Sequence, residues 1–592
     1  MTVRERVEAL RGQMEAEGVN ACLVPSSDAH MGEYVGEHWK SRRWITGFTG
    51  SAGTAVITRG DAGLWTDGRY YIQAEKQLEG SGIRLFRAGQ PDVPSFEEWL
   101  GETLSDGMCL AFDGRVVPVA GARRLEAAFR GKKIRLRADL DLVGRVWADR
   151  PPIPADPAFL HELRFAGRSF GEKAAQLREK MRRRGADTLL LTALDDICWL
   201  FNIRGADVPY NPFVTSFALL SLTDAQLFIR PDKVPEPVAA ALGKEGVALR
   251  GYDEIGAALG ALPDGAALLL DPEKTSVSLR DAVAGGAHVL EAPSLVTPIK
   301  AVKNETEIKN MRDAYLKDCA ALVQLFKWLK ETVPHQPVTE LDVDRKGFEF
   351  RARQPFFKGL SFETISAWGD HAAMMHYAPT PEKQYTLRPE GFYLIDSGSQ
   401  FLNGTTDITR TVALGPLTAE QKRDFTLVLR AVISLSTAKF LRGTTGSGLD
   451  ILARRPLWDE GLDYKCGSGH GVGYYSTVHE DPQRMSQKNN PWPLEPGMNL
   501  TIEPGVYKEG RHGIRTENTL LVTQGETTES GEFLRFETLT YLPIDRSAIL
   551  PELLSPAERR WINDYHAAVY GKLSPLLDDE HRRWLKNETA PL

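Results

Sequence analysis

Apolar residues recur at helical spacing in three segments of the chain. The N-terminal stretch VRERVEALRGQMEA alternates charged and apolar positions, and residues 304–330 carry the same pattern after a proline-punctuated stretch. Near the C-terminus, Ser555 and Pro556 form an N-cap and first-turn pair. The positions that follow place Trp561, Tyr565 and Val569 on one face. We therefore predict three helices, the last of which packs against the block before it.

Two earlier blocks share an order of patterns. WITGFTG at 44–50 and WLFNIRG at 199–205 are each followed by two strand-like runs, SAGTAVITRGDAGLWTD and SFALLSLTDAQLFIRPD. Each block also opens with an amphipathic helix and an apolar strand, ACLVP or TLLLTA. This parallel order predicts a duplicated α/β module. Chance similarity between two hydrophobic hairpins is the alternative.

Proline-rich segments divide the chain. RPPIPADP at 150–157 disfavours both helix and central strand and is typical of a linker. A second break lies in EAPSLVTPIKAVKNE, ahead of the helix predicted over 304–330. The predicted domains are therefore 1–150, 151–300 and 301–592.

The third block places acids where strand patterns predict burial. FYLIDSGSQF and TTDITRTVAL flank Asn403-Gly404, a dipeptide that favours a hairpin turn. If Asp396 lies opposite Asp407, their Cβ atoms are about 5 Å apart. A two-residue turn at Asn403-Gly404 would instead leave Asp396 about 13 Å along the strand. Both registers keep the acids on one face, and only a longer loop or a bulge brings them together.

A second pair of acids has the same form. LTIEPGVY and GIRTENTLLV place Glu503 and Glu517 symmetrically about Gly510. Four carboxylates in a core would repel one another and take up protons unless a cation neutralised them. Two divalent ions about 3.5–4 Å apart are a known hydrolytic arrangement that does this.

Three histidines accompany the acids. His470 lies in GSGHGVG, His479 in TVHEDP and His376 in MMHYAP. A hydrogen-bonded core or surface role is the alternative for any one histidine, but four acids in the same block favour metal ligation. GSGHGVG lacks the following helix that a dinucleotide-binding loop requires. A zinc site with Cys466 lacks a second nearby cysteine.

Composition limits the remaining classes. The 592 residues are 42% hydrophobic with a formal charge of -7, which gives no electrostatic reason to expect nucleic acid or anionic lipid as a partner. We expect no membrane association, because no segment approaches 18 uncharged apolar residues. The five cysteines without CxxC spacing and the absence of a signal-peptide pattern favour the cytoplasm.

The third block resembles the pita-bread metallopeptidases. HYAP, LIDSG, TTDITRT, GSGHGVG, VHE, TIEPGVY and GIRTEN occur in that family's order. RRWITGFTGSAGTAVIT and ALDDICWLFNIRGADVPYNP are similar to the first two domains of its three-domain X-prolyl aminopeptidase subgroup. The resemblance implies an α/β (α+β) fold, with two related creatinase-like domains followed by a pita-bread catalytic domain. It also implies a homodimer that removes the N-terminal residue of peptides with proline second, through hydroxide bridged by two manganese ions.

The resemblance assigns roles residue by residue. Asp396 would hold one ion, His470 and Glu503 the other, and Asp407 and Glu517 both. Glu503 would also pass on a proton, His376 and His479 would contact substrate, and Arg515 would steady the acids. The sequence departs from the subgroup at Cys466, where a histidine is common, and we expect activity to be sensitive to thiol reagents.

Three other functions fit parts of the pattern. An Xaa-Pro dipeptidase uses the same catalytic framework, but the duplicated N-terminal module favours the aminopeptidase. A metal-free pita-bread binding module has lost ligands, whereas all five ligand positions are filled here. A metal-independent, creatinase-like amidinohydrolase is disfavoured by the same acids.

Overall fold

The computed structural model describes residues 1–592, which form two compact units. The first contains residues 1–163 and 168–296, and the second contains residues 164–167 and 297–592. Residues 151–157 of the proline-rich segment adopt neither helix nor strand. None of the helices is both long and apolar enough to cross a bilayer.

The first unit contains two six-stranded sheets with the same topology. In order across the first sheet, the strands are Arg84–Arg87, Ala62–Thr66, Thr54–Thr58, Ala21–Pro25, Cys109–Ala111 and Arg135–Arg137. Across the second they are Val247–Arg250, Ala225–Ile229, Ser216–Ser221, Thr188–Leu191, Ala267–Leu270 and His288–Glu291. A two-stranded ladder joins Phe159–Leu160 to Ile203–Arg204.

Strand directions also match between the two sheets. In each, the first strand in the chain pairs antiparallel with the second and parallel with the fifth, and the third pairs parallel with the fourth. The predicted duplication of an α/β module is therefore confirmed.

Short helices accompany these sheets. In the first half of the unit they are Val3–Ala16, Ser41–Thr46, Tyr71–Leu78, Phe96–Thr103, Val119–Ala128 and Leu142–Val146. In the second half they are Phe170–Arg183, Leu194–Phe201, Glu236–Lys244, Ile255–Gly260 and Val277–Asp281. The helix predicted at the N-terminus is confirmed. It begins after Thr2, whose side chain accepts from Glu5 N in a capping box.

The second unit is built around long helices. They are Glu305–Thr332, Glu340–Ala352, Ala419–Ser436, Gly446–Trp458, Pro556–Leu573 and Asp579–Glu588. Two short helices, Leu163–Ala166 and Thr297–Ala301, precede them in the chain. Asn304 caps the longest of them through a capping box with Glu307. The helix predicted from residue 304 is confirmed.

Small antiparallel sheets complete the second unit. Two three-stranded sheets contain Phe357–Leu360, Ser399–Phe401 and Gly404–Thr405, and Ile365–Trp368, Phe392–Ser397 and Ile408–Ala413. A four-stranded sheet contains Lys439–Leu441, Gly531–Thr538, Asn518–Thr528 and Asn499–Ile502. Two-stranded ladders join Gly469–Gly471 to Glu480–Met485 and Gly505–Lys508 to His512–Arg515.

The helix Pro556–Leu573 packs against the core of the second unit, as predicted. Ser555 caps it, and Tyr565 and Val569 are buried in the hydrophobic cluster of the unit. The Tyr565 hydroxyl accepts a hydrogen bond from Arg410 Nη2 at 2.8 Å, which links the helix directly to the strand Ile408–Ala413.

Candidate metal centre

The two arms of the hairpin that carries Asp396 and Asp407 pair with each other in two short ladders, and both ladders have the same register. Asp396 pairs with Thr409 in the first ladder, and Phe401 pairs with Gly404 in the second. The two-residue loop is therefore Leu402-Asn403. Both predicted registers were wrong by a shift of two residues. In the observed register Asp407 is the diagonal neighbour of Asp396 on the same face, which brings the acids together without a longer loop.

Tertiary contacts explain this shift. The Asn403 side chain is held by the long helix, because its Nδ2 donates to Asp313 Oδ2 at 2.8 Å and its Oδ1 accepts from Lys317 Nζ at 2.9 Å. A Cβ added at Gly404 would lie 2.9 Å from Ala314 Cβ. Asn403-Gly404 therefore docks the loop on the helix, and this docking overrides the local turn preference.

Glu503 and Glu517 lie opposite one another, as predicted. Ile502 pairs with Asn518 and Gly505 pairs with Arg515 in one continuous register. Between these ladders the backbone turns to other partners, since Glu503 N donates to Ser468 O at 2.8 Å and Glu517 N to Thr409 O at 3.2 Å. The two acids are thereby joined to the segments that carry His470 and Asp407.

His470 directs one ring nitrogen at the acids. Its Nδ1 lies 2.9 Å from Gly471 O, while its Nε2 lies 3.4 Å from Asp407 Oδ2 and 3.3 Å from Glu503 Oε1. A Cβ at Gly469 would lie 1.9 Å from Thr501 O, so a glycine beside the histidine is required. The glycines of GSGHGVG therefore let the backbone approach this crowded site closely.

Arg515 holds the opposite side of the cluster. It is buried, and its Nη2 donates to Asp396 Oδ2 at 2.6 Å while its Nη1 donates to the Tyr507 hydroxyl at 2.6 Å. Thr409 joins two of the charged groups, because Arg515 Nε donates to its hydroxyl at 3.2 Å and that hydroxyl donates to Glu517 Oε2 at 2.9 Å.

Burial and neighbouring charges shift the pKa values of Glu517, Asp396 and Glu503 in different directions. Burial, followed by the charges of Asp407, Asp396 and Glu503, raises the pKa of Glu517 well above its usual value. Burial raises the pKa of Asp396 to about 6 although Arg515 opposes the shift. Burial opposes ionisation of Glu503, but the hydrogen bond to His470 and the charges of His470, Arg515 and His479 together lower its pKa to about 2. The protein alone therefore leaves part of this cluster uncompensated.

The imidazole shifts in the opposite direction. Burial disfavours the charged ring, but hydrogen bonds to Asp407 and Glu503 outweigh burial and raise the pKa of His470 to about 10. In the ion-free protein the histidine therefore carries a proton where an ion would bind.

These donors fit divalent ions. One ligand atom from each of Asp407, His470 and Glu517 lies within 4.8 Å of the others. The Asp396 Oδ1 atom is buried and has no hydrogen-bond partner, so this oxygen is available to ligate an ion. Carboxylate oxygens with one imidazole are a donor set that suits manganese and related ions.

The two other predicted histidines occupy different positions. The His479 ring lies 4.3 Å from the His470 ring in an edge-to-face arrangement. His376 is partly exposed and follows Met375, whose carbonyl accepts from Arg515 Nη2 at 3.4 Å. Both segments therefore border the acid cluster.

Several residues at the site carry no distinct sequence signal. Thr409 and Thr501 contact the acids, since the Thr501 hydroxyl donates to Glu503 Oε1 at 3.2 Å. Glu340 is fully buried and accepts hydrogen bonds from Trp368 N and from the Tyr377 hydroxyl, each at 2.8 Å. These two donors flank the segment that contains His376. Only the two-residue spacing of Thr409 from Asp407 pointed to a shared strand face.

Cys466 is partly exposed, and its carbonyl accepts from Arg454 Nη2 at 2.7 Å. All five cysteines of the chain are free thiols. The thiol sensitivity expected of Cys466 stays a prediction.

A helix-rich domain that surrounds acids and a histidine with antiparallel hairpins defines a class of metal-dependent peptidases. Residues 309–524 match metallopeptidase family M24, and residues 532–592 match the C-terminal region of that family. Residues 6–137 and 149–307 each match the creatinase/prolidase N-terminal domain, which confirms the predicted fold of two related domains before a pita-bread domain.

Relatives narrow the class. The chain is 39% identical over 607 residues to the probable Xaa-Pro aminopeptidase P of Neosartorya fischeri, covering 99% of this chain and 92% of the relative. It is 38% identical over 632 residues to aminopeptidase P2 of Arabidopsis thaliana, covering 100% and 89%. The chain belongs to the aminopeptidase P family of M24 metallopeptidases.

A solved structure agrees over the whole length. X-prolyl aminopeptidase from Caenorhabditis elegans is 34% identical and superposes with a TM-score of 0.95, covering 100% of both chains. That protein is described as a cytosolic enzyme with a dinuclear active site.

Proposed function

We propose that this chain is an Xaa-Pro aminopeptidase that removes the first residue of peptides whose second residue is proline. The observation that carries the proposal is one cluster of four buried or half-buried acids, His470 and Arg515. The acids and Arg515 come from two hairpins, and His470 comes from the strand Gly469–Gly471. The family to which the chain belongs and the C. elegans structure, described as an enzyme with a dinuclear active site, support it.

The ligand assignment distributes five side chains over two ions. Asp396 would hold one ion, His470 and Glu503 would hold the other, and Asp407 and Glu517 would contact both. When bound, two divalent ions polarise the peptide carbonyl and lower the pKa of water enough to supply hydroxide near neutral pH. We propose manganese as the ion, since hard oxygen ligands predominate.

The protein's own groups handle the proton and the developing charge. Glu503 Oε1 lies 3.3 Å from His470 Nε2, and this residue would accept a proton from the attacking water and pass it to the leaving nitrogen. His376 and His479 would donate to the carbonyl oxygen as it gains negative charge. Arg515 would hold Asp396 in position.

The preference for proline has a physical basis. An Xaa-Pro amide has no N–H and its φ is fixed, so a peptidase that must accept a hydrogen bond from that N–H cannot use it. A rigid apolar slot for the ring, combined with recognition of the free α-amine, would select such peptides. A dipeptidase would in addition have to recognise the proline carboxylate.

Assembly, location and domain limits complete the proposal. We propose a cytoplasmic location, because the C. elegans structure is of an enzyme described as cytosolic and the five cysteines are free thiols. We also propose a homodimer, as the resemblance to the X-prolyl aminopeptidase subgroup implies. We also propose three domains, 1–150, 151–300 and 301–592. The matches at 6–137, 149–307 and 309–524 support these limits.

Substrate length gives the test. Manganese-loaded protein is incubated with an Xaa-Pro-Xaa tripeptide and with the matching Xaa-Pro dipeptide, and the released first residue is quantified. We expect release from the tripeptide at a rate at least tenfold above that from the dipeptide. Faster cleavage of the dipeptide would indicate a dipeptidase, and cleavage of neither peptide would reject the proposed function.

A further inference from the structure

A buried ion pair lies directly behind the hairpin that carries Asp396 and Asp407. Asp318, in the helix Glu305–Thr332, is fully buried, and Arg351, in the helix Glu340–Ala352, is 1% exposed. Arg351 Nε donates to Asp318 Oδ1 at 2.7 Å, and Arg351 Nη2 donates to Asp318 Oδ2 at 3.3 Å.

This pair makes three further hydrogen bonds, all to the hairpin. Asp318 accepts from the hydroxyl of Ser399 at 3.1 Å and from the hydroxyl of Thr406 at 2.5 Å. Arg351 Nη2 donates to Ser397 O at 3.2 Å. Ser397 follows Asp396 and Thr406 precedes Asp407. The ion pair therefore bonds to both arms of the hairpin, one residue away from a proposed ion ligand in each.

These hydrogen bonds lie where the regular pairing of the two arms is interrupted. The ladder from Phe392–Ser397 ends at Ser397 paired with Ile408, and the next resumes at Gln400 paired with Thr405. In between, a Cβ at Gly398 would lie 2.0 Å from Thr406 O, so the two arms approach unusually closely. One backbone hydrogen bond, from Thr406 N to Ser399 O at 2.9 Å, spans this interruption, and the side-chain bonds of the pair add to it.

Such a pair is poorly explained as a source of stability alone. Burying two charges costs free energy that their attraction seldom exceeds, so apolar residues of the same volume often serve as well. Groups behind metal ligands, in contrast, orient those ligands, and their loss typically weakens ion binding by about 10–100-fold.

We propose that Asp318 and Arg351 are positioning residues that set the spacing of Asp396 and Asp407 for ion binding. The inference rests on the proposed function, because it takes these two acids as ion ligands. Thr406 transmits the constraint, since its hydroxyl donates to Asp318 and also accepts from Ser399 N at 2.9 Å.

The test removes that hydroxyl without leaving a charge unpaired. Thr406→Val keeps the side-chain shape and retains the Asp318–Arg351 pair. The Kd for Mn²⁺ is measured by calorimetry on full-length, chelator-treated protein, together with the melting temperature of the ion-free form. We expect at least one Mn²⁺ to bind about 10–100-fold more weakly than in the wild type.

Thr426→Val is the matched control. The Thr426 hydroxyl is also fully buried, donates at 2.8 Å to Lys422 O and accepts at 2.9 Å from Leu550 N, in the helix Ala419–Ser436. We expect it to lower the melting temperature by a similar amount with an unchanged Kd for Mn²⁺. If Thr406→Val fails to fold, Ser399→Ala removes the other hydroxyl that reaches Asp318.

The outcomes separate the two proposals. Equal Mn²⁺ affinity in wild type and Thr406→Val, or equal weakening in the control, would overturn the positioning role while leaving the proposed function intact. A wild type that binds no Mn²⁺ and cleaves no Xaa-Pro-Xaa tripeptide would reject the proposed function and this inference with it.

Discussion

Glu503 lies opposite Glu517 at the point where two aligned ladders leave a gap. The register that pairs Ile502 with Asn518 continues to the pair of Gly505 with Arg515. Within the gap, the backbone N–H of each glutamate binds a different neighbouring segment. Two acids are thus brought face to face where the backbone can also hold the chain segments of His470 and Asp407.

Ion binding is predicted to release protons. At pH 8, His470 is protonated in the ion-free protein, because its pKa of about 10 lies above that pH. Ligation requires the neutral ring, so affinity for Mn²⁺ rises with pH. Calorimetry in two buffers with different ionisation enthalpies counts the protons.

His470→Ala is predicted to release fewer protons for each ion still bound. Wild-type binding at pH 8 with no dependence on the buffer's ionisation enthalpy would show that the ion-free histidine is already neutral.

Arg515→Met is predicted to destabilise the ion-free protein more than the loaded protein. Breaking its buried pair with Asp396 costs about 3–5 kcal/mol, and bound ions replace part of the lost positive charge. Melting temperatures with and without Mn²⁺ provide the measurement. Tyr507→Phe is the control, because it removes one partner of Arg515 and keeps the pair with Asp396. Equal losses in the two states would contradict the electrostatic role of Arg515.

Glu340→Gln is predicted to affect turnover without affecting ion binding. Glu340 receives Trp368 N, Tyr377 Oη and Tyr385 N, which together hold the segment that contains His376. An amide there turns an N–H toward another donor, so we expect kcat/KM to fall about tenfold while two ions still bind. Glu382→Gln alters an exposed residue of the same segment and serves as control. Weaker Mn²⁺ binding in Glu340→Gln would argue against this separation.

His566 is predicted to make the protein acid-sensitive. Burial, together with Arg546 and Arg410, lowers its pKa to about 4, and its Nε2 accepts from Ile544 N at 3.1 Å. Between pH 6.5 and 4 the unfolded chain binds a proton that the folded chain excludes. The contribution of neutral His566 to the free energy of unfolding is therefore fully present above pH 6.5. It is lost as the pH falls, by up to about 3 kcal/mol.

His566→Gln removes this dependence. The difference in melting temperature between wild type and variant should shrink as pH falls from 6.5 to 4. His335→Gln, at an exposed position, should follow the wild type throughout. A difference that stays constant with pH would show that His566 titrates alike in both states.

Local patterns predicted much of this fold. The helix from residue 304, the capped helix from Pro556 and the duplicated sheets follow from spacing and capping residues, which act within a few positions along the chain. The symmetry of Glu503 and Glu517 was predictable for the same reason, because one short hairpin relates them.

Contacts that are distant along the chain were not predictable. The first hairpin is shifted by two residues because Asn403 and Gly404 dock on a helix nearly a hundred positions earlier. Asp318 and Arg351 likewise lie in ordinary helical patterns, where a buried charge has no local signature. Register and supporting residues at the site depend on packing that only the folded chain defines.

The most direct test of the central claim is to titrate chelator-treated protein with Mn²⁺ while measuring release of arginine from a peptide that begins Arg-Pro-Pro. We predict no release without ions and activity that saturates at about two ions per chain. Asp407→Asn should stay inactive at every Mn²⁺ concentration, whereas Asp564→Asn, an exposed change in the C-terminal helix, should match the wild type. Full activity of the ion-free wild type, or of Asp407→Asn, would contradict the account.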